Sequence, residues 1–266
     1  MTSPVMLDDA GLTLGDRTLW SGLDLQVEAG AFFTVLGPNG SGKSSLLRVL
    51  LGLRQLTAGT ARINGCSPRR GRREVGYVPQ HRGFEADVPL RGIDLVQQGL
   101  DGHRWGLPSR RSARARDLLE EVGAAHLAGV PLGRMSGGEQ QRVRIAQALA
   151  TEPAVLLCDE PLLTLDPHHQ ARIVELLDRR RRDHGTVVVF VTHEINAVLA
   201  VTDAVLYLMA GRAAVGTPDE VFRDDVLSAL YGSAVEVVRR ADRLAVLGAV
   251  DCTHPHDDHQ SDRVAV

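Results

Sequence analysis

The sequence predicts an α/β fold with a parallel sheet at its centre. Three observations predict it. Apolar runs at 154–158 and 186–191 show no alternation, as in strands covered on both faces, and a similar run occupies 32–36. Each run stops at glycine or polar residues (Gly37, Asp159-Glu160, Thr192-His193), at the strand ends where α/β folds gather their ligands. Segments with helical spacing, such as 43–51 and 138–150, lie between these strands. At 266 residues the chain can hold one large lobed domain. Its apolar share of 44% and charged share of 24% are those of an ordinary globular protein.

Taken in order, residues 1–31 carry short strand-like runs at 5–7, 12–14 and 23–27, punctuated by Gly11, Gly15, Gly22 and Gly30. Alternation at Leu23, Leu25 and Val27 gives one buried face, so an antiparallel β subdomain is expected here, joined by a further strand at 60–64. Next comes Gly37-Pro38-Asn39-Gly40-Ser41-Gly42-Lys43-Ser44, which fits G-x-x-x-x-G-K-[ST] at every fixed position, between an apolar strand and a leucine-rich helix. Its glycines allow turns in which successive N–H groups point into one hollow, and the following helix adds its own free N–H groups. That hollow suits phosphate oxygens, with Lys43 as cation and the Ser44 hydroxyl as a ligand for Mg²⁺. The core is therefore expected to be a phosphate-loop NTPase.

The strand-like run 75–78 ends at Pro79-Gln80, which sets a glutamine at a strand's carboxyl end. From about 83 to 152 the pattern turns helical, with Ala115, Leu118, Leu119 and Val122 on one stripe and a second helix at 138–150 opened by Ser136-Gly137-Gly138. We read this as an inserted helical subdomain. Asp159 and Glu160 close the next strand and face different directions, so one can hold a metal while the other reaches a reacting water. His193 also projects from a strand end, ahead of an expected helix through Ile195, Val198 and Leu199. One or two helices at 218–230 and a hairpin of 235–238 with 244–247 follow; 251–266 has no core-forming pattern and is expected to be disordered.

Composition excludes several classes. Net charge is −3, so arginine clusters at 69–73, 110–116 and 179–182 read as solvated faces rather than a nucleic-acid surface. No apolar run approaches the ~18 residues of a membrane helix, and Asp8 and Asp9 stand where an export signal would be basic and then apolar. Cys66, Cys158 and Cys252 are scattered, which suits a reducing compartment.

The order of these pieces resembles that of the ATP-binding subunits of ABC transporters over nearly all of 5–235. In that resemblance 37–44 is similar to the Walker A loop, Tyr77-Val78-Pro79-Gln80 to the Q-loop, Arg134-Met135-Ser136-Gly137-Gly138-Glu139-Gln140-Gln141-Arg142 to the family signature, and 155–161 to the Walker B strand. Leu163-Thr164-Leu165-Asp166 resembles the D-loop and His193 the switch histidine. The resemblance implies ATP and Mg²⁺ as ligands. Gly37, Pro38, Asn39, Gly40, Ser41, Gly42, Lys43, Ser44 and Ser45 would bind nucleotide; Ser44, Gln80 and Asp159 would serve Mg²⁺; Glu160 would be the general base; and His193 would contact the γ-phosphate. Ser136, Gly137, Gly138 and Asp166 would close on ATP held by a second copy of the chain in a head-to-tail dimer. An ATPase domain at 1–235, with its helical subdomain at about 83–152, would thus be followed by a small β extension at 236–250 and the tail at 251–266.

Leu14 stands where the family usually has an aromatic that stacks on adenine, which reduces base stacking; Met135, Glu139 and Ser45 are mild departures. Asp87-Val88-Pro89-Leu90, Glu160-Pro161-Leu162-Leu163 and Thr192-His193-Glu194-Ile195-Asn196 resemble the branch that takes up zinc and manganese. This implies a motor at the cytoplasmic face of the cell membrane, docked through the groove near Gln80 and residues 84–100 on two integral-membrane permease subunits. An extracytoplasmic solute-binding protein would act indirectly, and no nucleic acid is expected. Other solutes fit the same motor, and a soluble non-transport ABC ATPase is the alternative class. The tail with Cys252, His254, His256, Asp257, Asp258 and His259 can be read as a zinc-sensing segment or as a solvated end with incidental histidines.

Overall fold

The structure, a computed structural model, describes residues 3–80, 83–85, 87–101, 112–163, 165–240 and 243–248. Two long strands open it, β1 (Val5–Leu14) and β2 (Arg17–Val27). They are followed by β3 (Phe32–Leu36), helix α1 (Lys43–Leu50) and β4 (Ala58–Ile63). β1 pairs antiparallel with both β2 and β4, making a three-stranded sheet in the order β2-β1-β4. Leu23, Leu25 and Val27 are buried, as their alternation requires. Gly11 and Gly22 do not interrupt these strands; register shifts on β1, between Leu7 and Ala10, Ala10 and Leu12, and Leu12 and Thr13, absorb the irregularity. A bulge takes up an extra residue and returns the same face to the core, which a break would not do.

Beyond β4 lie β5 (Val75–Val78), three helices α2 (Gly92–Asp101), α3 (Ser112–Glu121) and α4 (Gly137–Leu149), and then β6 (Val155–Asp159). β5 and β6 are parallel neighbours despite the residues between them, so the helices form a lobe hung from two adjacent strands. Leu95, Val96, Leu118, Leu119, Val143 and Ile145 close that lobe's interior. The Arg144 guanidinium carbon lies 4.2 Å from the centre of the Phe84 ring, a cation–π contact that fastens the lobe's first residues to α4.

Helix α5 (Pro167–His184), β7 (Val187–Val191), β8 (Ala204–Met209) and β9 (Arg212–Gly216) complete the larger sheet, ordered β5-β6-β7-β3-β8-β9. All of its pairs are parallel except β8 with β9. Along β3, β6 and β7 successive side chains enter two different cores: Phe32, Leu156, Cys158, Val188 and Phe190 on one face, Phe33, Val35, Leu157, Val189 and Val191 on the other. This explains the unbroken apolar runs. The chain ends in α6 (Pro218–Val221), α7 (Asp224–Tyr231) and the hairpin β10 (Glu236–Arg240) with β11 (Arg243–Leu247).

One expectation is overturned. No α-helix runs through Ile195, Val198 and Leu199; turns and a short 3₁₀ segment at Leu199–Val201 occupy this stretch. The Thr192 hydroxyl accepts from the Glu194 N–H at 3.1 Å, a local bond that competes with helix, and the Asn196 side chain is drawn to Leu244, 48 residues on. Residues 251–266 lie outside the described residues. Among the described residues no helix is long and apolar enough to cross a membrane.

Candidate functional site

Five strands of the larger sheet point their carboxyl ends the same way, and the loops leaving four of them, β3, β5, β6 and β7, meet at one cleft of about 980 Å³. Its walls are Leu14, Arg17 and Leu19 from the small sheet, Pro38, Asn39, Gly40, Gly42, Lys43, Ser44 and Ser45 from the loop and α1, and Gln80, Glu160, Leu163 and His193. Gly37 and Ser41 line an adjoining cavity instead.

The loop's shape depends on two glycines. Gly37 has φ 141°, and a Cβ there would lie 2.1 Å from the Leu208 carbonyl oxygen. Gly42, the N-cap of α1, has φ 102°, and a Cβ would meet the Trp20 indole nitrogen at 2.9 Å. Both positions therefore exclude a side chain. The first-turn N–H groups of α1 face the cleft without intrahelical acceptors. Lys43 is 5% exposed, and its Nζ donates to the carbonyls of Gly37 at 2.7 Å and Pro38 at 3.1 Å. Burial pulls its pKa down, and the nearby carboxylates of Glu160 and Asp159 oppose that pull.

Asp159 is the last residue of β6 and is buried. Its Oδ1 accepts from the Ser44 hydroxyl at 3.2 Å, and its Oδ2 lies 3.5 Å from the Tyr77 hydroxyl. Burial raises its pKa above the ordinary carboxylate value, and Ser44 partly offsets the rise. Tyr77 is only partly covered, yet its desolvation, reinforced by Asp159, pushes it up to about 12, so the phenol stays protonated. Glu160 follows with φ 45°, a conformation that costs a non-glycine residue about 1–3 kcal/mol. Its N–H bonds the Val191 carbonyl at 3.0 Å, tying the bend to β7. Its Oε2 lies 3.5 Å from Gln80 Nε2 and 3.8 Å from His193 Nδ1. Two carboxylates that are adjacent in sequence are thus separated, one buried behind Ser44 and one turned toward the cleft.

Ser136, Gly137, Gly138 and Asp166 are elsewhere. Ser136 caps α4 in a closed capping box: its Oγ accepts from Glu139 N, and Glu139 Oε2 accepts from Ser136 N at 2.8 Å. The Ser136 N–H holds the Glu139 carboxyl below its usual pKa. Asp166 caps α5 through the N–H groups of His168 and His169, and its carboxylate also bonds the His169 ring, which lowers its pKa. The His169 ring lies against the buried Gly138, so the two helix ends meet apart from the cleft, with Ser136 and Asp166 exposed.

Several residues with a part in the site were not singled out from the sequence. Tyr77 was quoted only within its motif, yet it faces Asp159 because β5 is paired to β6. Arg17 holds the loop through Gly40 O at 3.0 Å, and Leu19 and Leu163 complete the walls. Gln140 is buried; its Nε2 donates to the carbonyls of Leu132 at 3.0 Å and Met135 at 3.1 Å while its Oε1 accepts from Phe84 N at 3.2 Å. It ties the segment after Gln80 to the turn before Ser136. A polar residue on the apolar side of α4 is the signal that could have found it.

Residues 20–163 match the family model described as ABC transporter. The chain belongs to the ABC transporter family. Three curated relatives are each called "Zinc import ATP-binding protein ZnuC". The one from Paramagnetospirillum magneticum is 37% identical over 94% of this chain and 87% of its own length, and the one from Pseudomonas putida is 33% identical over 97% and 90%. Among solved structures, an ABC transporter in an inward-facing conformation is 25% identical with a TM-score of 0.78, covering 92% of this chain and 96% of its own. The dimeric ATP-binding cassette MJ0796, bound to ADP and Pi, is 28% identical with a TM-score of 0.67, covering 79% and 97%. This ABC protein is an ATP-hydrolysing subunit of an importer.

Proposed function

We propose that this ABC ATPase drives zinc uptake, with manganese as the second candidate cargo, through two permease subunits supplied by an extracytoplasmic binding protein. The observation that carries the catalytic part is the meeting of Lys43, Ser44, Gln80, Glu160 and His193 at one cleft, with Asp159 behind Ser44. The cargo rests on the zinc-import names of relatives that align over nearly the whole chain.

In this reading Lys43 releases the loop carbonyls to bind β- and γ-phosphate oxygens, and the N–H groups of 37–45 hold the rest of the triphosphate. Ser44 and Asp159 fit Mg²⁺: they are hard oxygen donors 3.2 Å apart, and the buried carboxylate gains from a cation that offsets its desolvation. Gln80 reaches the same corner. When bound, Mg²⁺ neutralises charge that develops on the phosphate oxygens. Glu160, turned into the cleft by its backbone, accepts the proton of the attacking water, and His193 donates to the γ-phosphate. The reaction converts ATP and water to ADP and phosphate. Ser136, Gly137, Gly138 and Asp166 complete the corresponding site of a second copy, so hydrolysis requires a head-to-tail dimer on the cytoplasmic face of the membrane. The ATPase domain spans 1–235, its helical subdomain at about 83–152 meets the permease, and 236–250 is an extension.

The test is to co-express the chain with the permease encoded beside it, reconstitute the complex, and measure ATP hydrolysis with binding protein that is empty, Zn²⁺-loaded or Mn²⁺-loaded. Stimulation by Zn²⁺-loaded protein that disappears in Glu160→Gln is expected. Hydrolysis indifferent to both metals in an assembled complex would rule out the cargo and leave the ATPase.

A further inference from the structure

His193 stands 53% exposed on a segment that has little regular structure. Thr192 N bonds the Val35 carbonyl at 3.1 Å, which fixes the segment to β3 on one side. On the other side the first firm anchor is Asn196. Its Nδ2 donates to the Leu244 carbonyl at 3.0 Å and its Oδ1 accepts from Leu244 N at 2.8 Å. A primary amide has the donor and acceptor of a peptide group at the same spacing, so Asn196 pairs with β11 as one residue of a third strand would. Leu244 sits opposite Arg239 in the hairpin, and both of its main-chain groups are turned outward to this amide. The pair caps an otherwise open strand edge and sets the switch segment at a fixed distance from the hairpin.

The hairpin is itself held. Val237 N bonds Asp224 Oδ1 at 2.7 Å, Arg239 bonds the Asp219 carboxylate and the Phe222 carbonyl, and the Leu244 side chain is buried in the same core as Ile195 and Val198. Between the hairpin and the back of the phosphate loop lies a cavity of about 470 Å³, whose walls include Ser41, His193, Asn196, Tyr207, Leu244 and Val246. Space there cannot transmit a position. The Asn196–Leu244 pair, part of its wall, is a direct bonded link between the switch segment and the hairpin.

We propose that Asn196 is a positioning residue for hydrolysis, and that the β10–β11 hairpin, through its two hydrogen bonds to Asn196, sets His193 against Glu160 and the γ-phosphate. This rests on the role given to His193 above. The hairpin is then part of the hydrolytic apparatus, although it contributes no group to the cleft.

The experiment is steady-state ATPase kinetics on the full chain. Asn196→Ala is expected to lower kcat roughly ten- to hundredfold, as a displaced catalytic group does, with KM for ATP unchanged because the phosphate loop is untouched. Combined with His193→Ala, it should cause no loss beyond that of His193→Ala alone. If Asn196→Ala does not fold, the near-isosteric Asn196→Asp takes its place: one oxygen still accepts from Leu244 N, the other opposes the Leu244 carbonyl, and the same kcat loss and non-additivity are expected. Wild-type kcat in the Asn196 variant, a rise in KM alone, or a loss that multiplies with that of His193→Ala would overturn the proposal. Wild-type kcat in His193→Ala by itself would overturn the role of His193, and the proposal with it.

Discussion

The cleft at the strand ends and the surface carrying Ser136 and Asp166 differ in how they are finished. The cleft is assembled from residues far apart in sequence: Ser44 reaches Asp159, Glu160 reaches Gln80 and His193, and each depends on the order of strands in a buried sheet. The signature surface is local. Ser136 is satisfied by Glu139 three residues on, and Asp166 by His168 and His169. That surface closes its hydrogen bonds over a few residues, whereas the cleft is closed by bonds between distant elements. The difference teaches that the geometry of the cleft is a property of the sheet, whereas the surface at Ser136 and Asp166 is set by local sequence.

The largest effect expected from breaking the cleft comes from Glu160→Gln, which removes the proposed base and keeps the shape. Hydrolysis should fall ~10³-fold while ATP binding by equilibrium titration stays near wild type. A residual rate within a few-fold of wild type would place the base elsewhere. The second prediction tests the contrast itself. Lys43→Ala and Ser136→Ala should each inactivate the protein alone, but an equimolar mixture should recover roughly a quarter of wild-type hydrolysis, because a head-to-tail heterodimer has one site with both defects and one with neither. A mixture as inactive as its components would mean that cleft and signature serve the same chain's nucleotide.

A third, smaller effect concerns the wall. Leu14 offers an aliphatic face, so Leu14→Tyr should tighten ATP by about 1 kcal/mol, roughly fivefold, through base stacking; unchanged affinity in fluorescence titration would show that the base does not rest there. The smallest effect belongs to the signature's own cap. Glu139→Ala should cost about 0.5–1 kcal/mol of stability in denaturant unfolding. The sign with pH follows from the depressed carboxyl: its contribution is complete above the unfolded value near 4.5 and is lost as pH falls through the lower folded value, so the variant and wild type should converge in acid. A gap that persists at low pH would assign the stabilisation to Glu139 contacts that do not depend on its charge.

Much of this was legible in the residues. The phosphate loop announces itself by spacing, and the runs at 154–158 and 186–191 read as strands because period-2 side chains on a doubly covered sheet are apolar on both faces. Where legibility failed, a long-range bond was responsible. The stretch through Ile195 has helical spacing, yet Thr192 and Asn196 spend their side chains on a turn and on β11, and the helix is absent. Gly11 and Gly22 look like strand breaks, yet pairing on both sides carries β1 through Gly11, and β2 runs on through Gly22 against β1.

The sequence by itself determined the list of chemical groups, because a lysine after a glycine loop or two acids after an apolar strand carry their chemistry wherever they are placed. It also determined the helix caps at Ser136 and Asp166, whose partners lie within three residues. Only the tertiary structure decided that Tyr77 faces Asp159, that Gln140 joins the segment at Phe84 to the turn before the signature, and that the hairpin grips Asn196. Those pairs are 48 to 82 residues apart in most cases, and strand order and packing, which no local pattern encodes, bring them together.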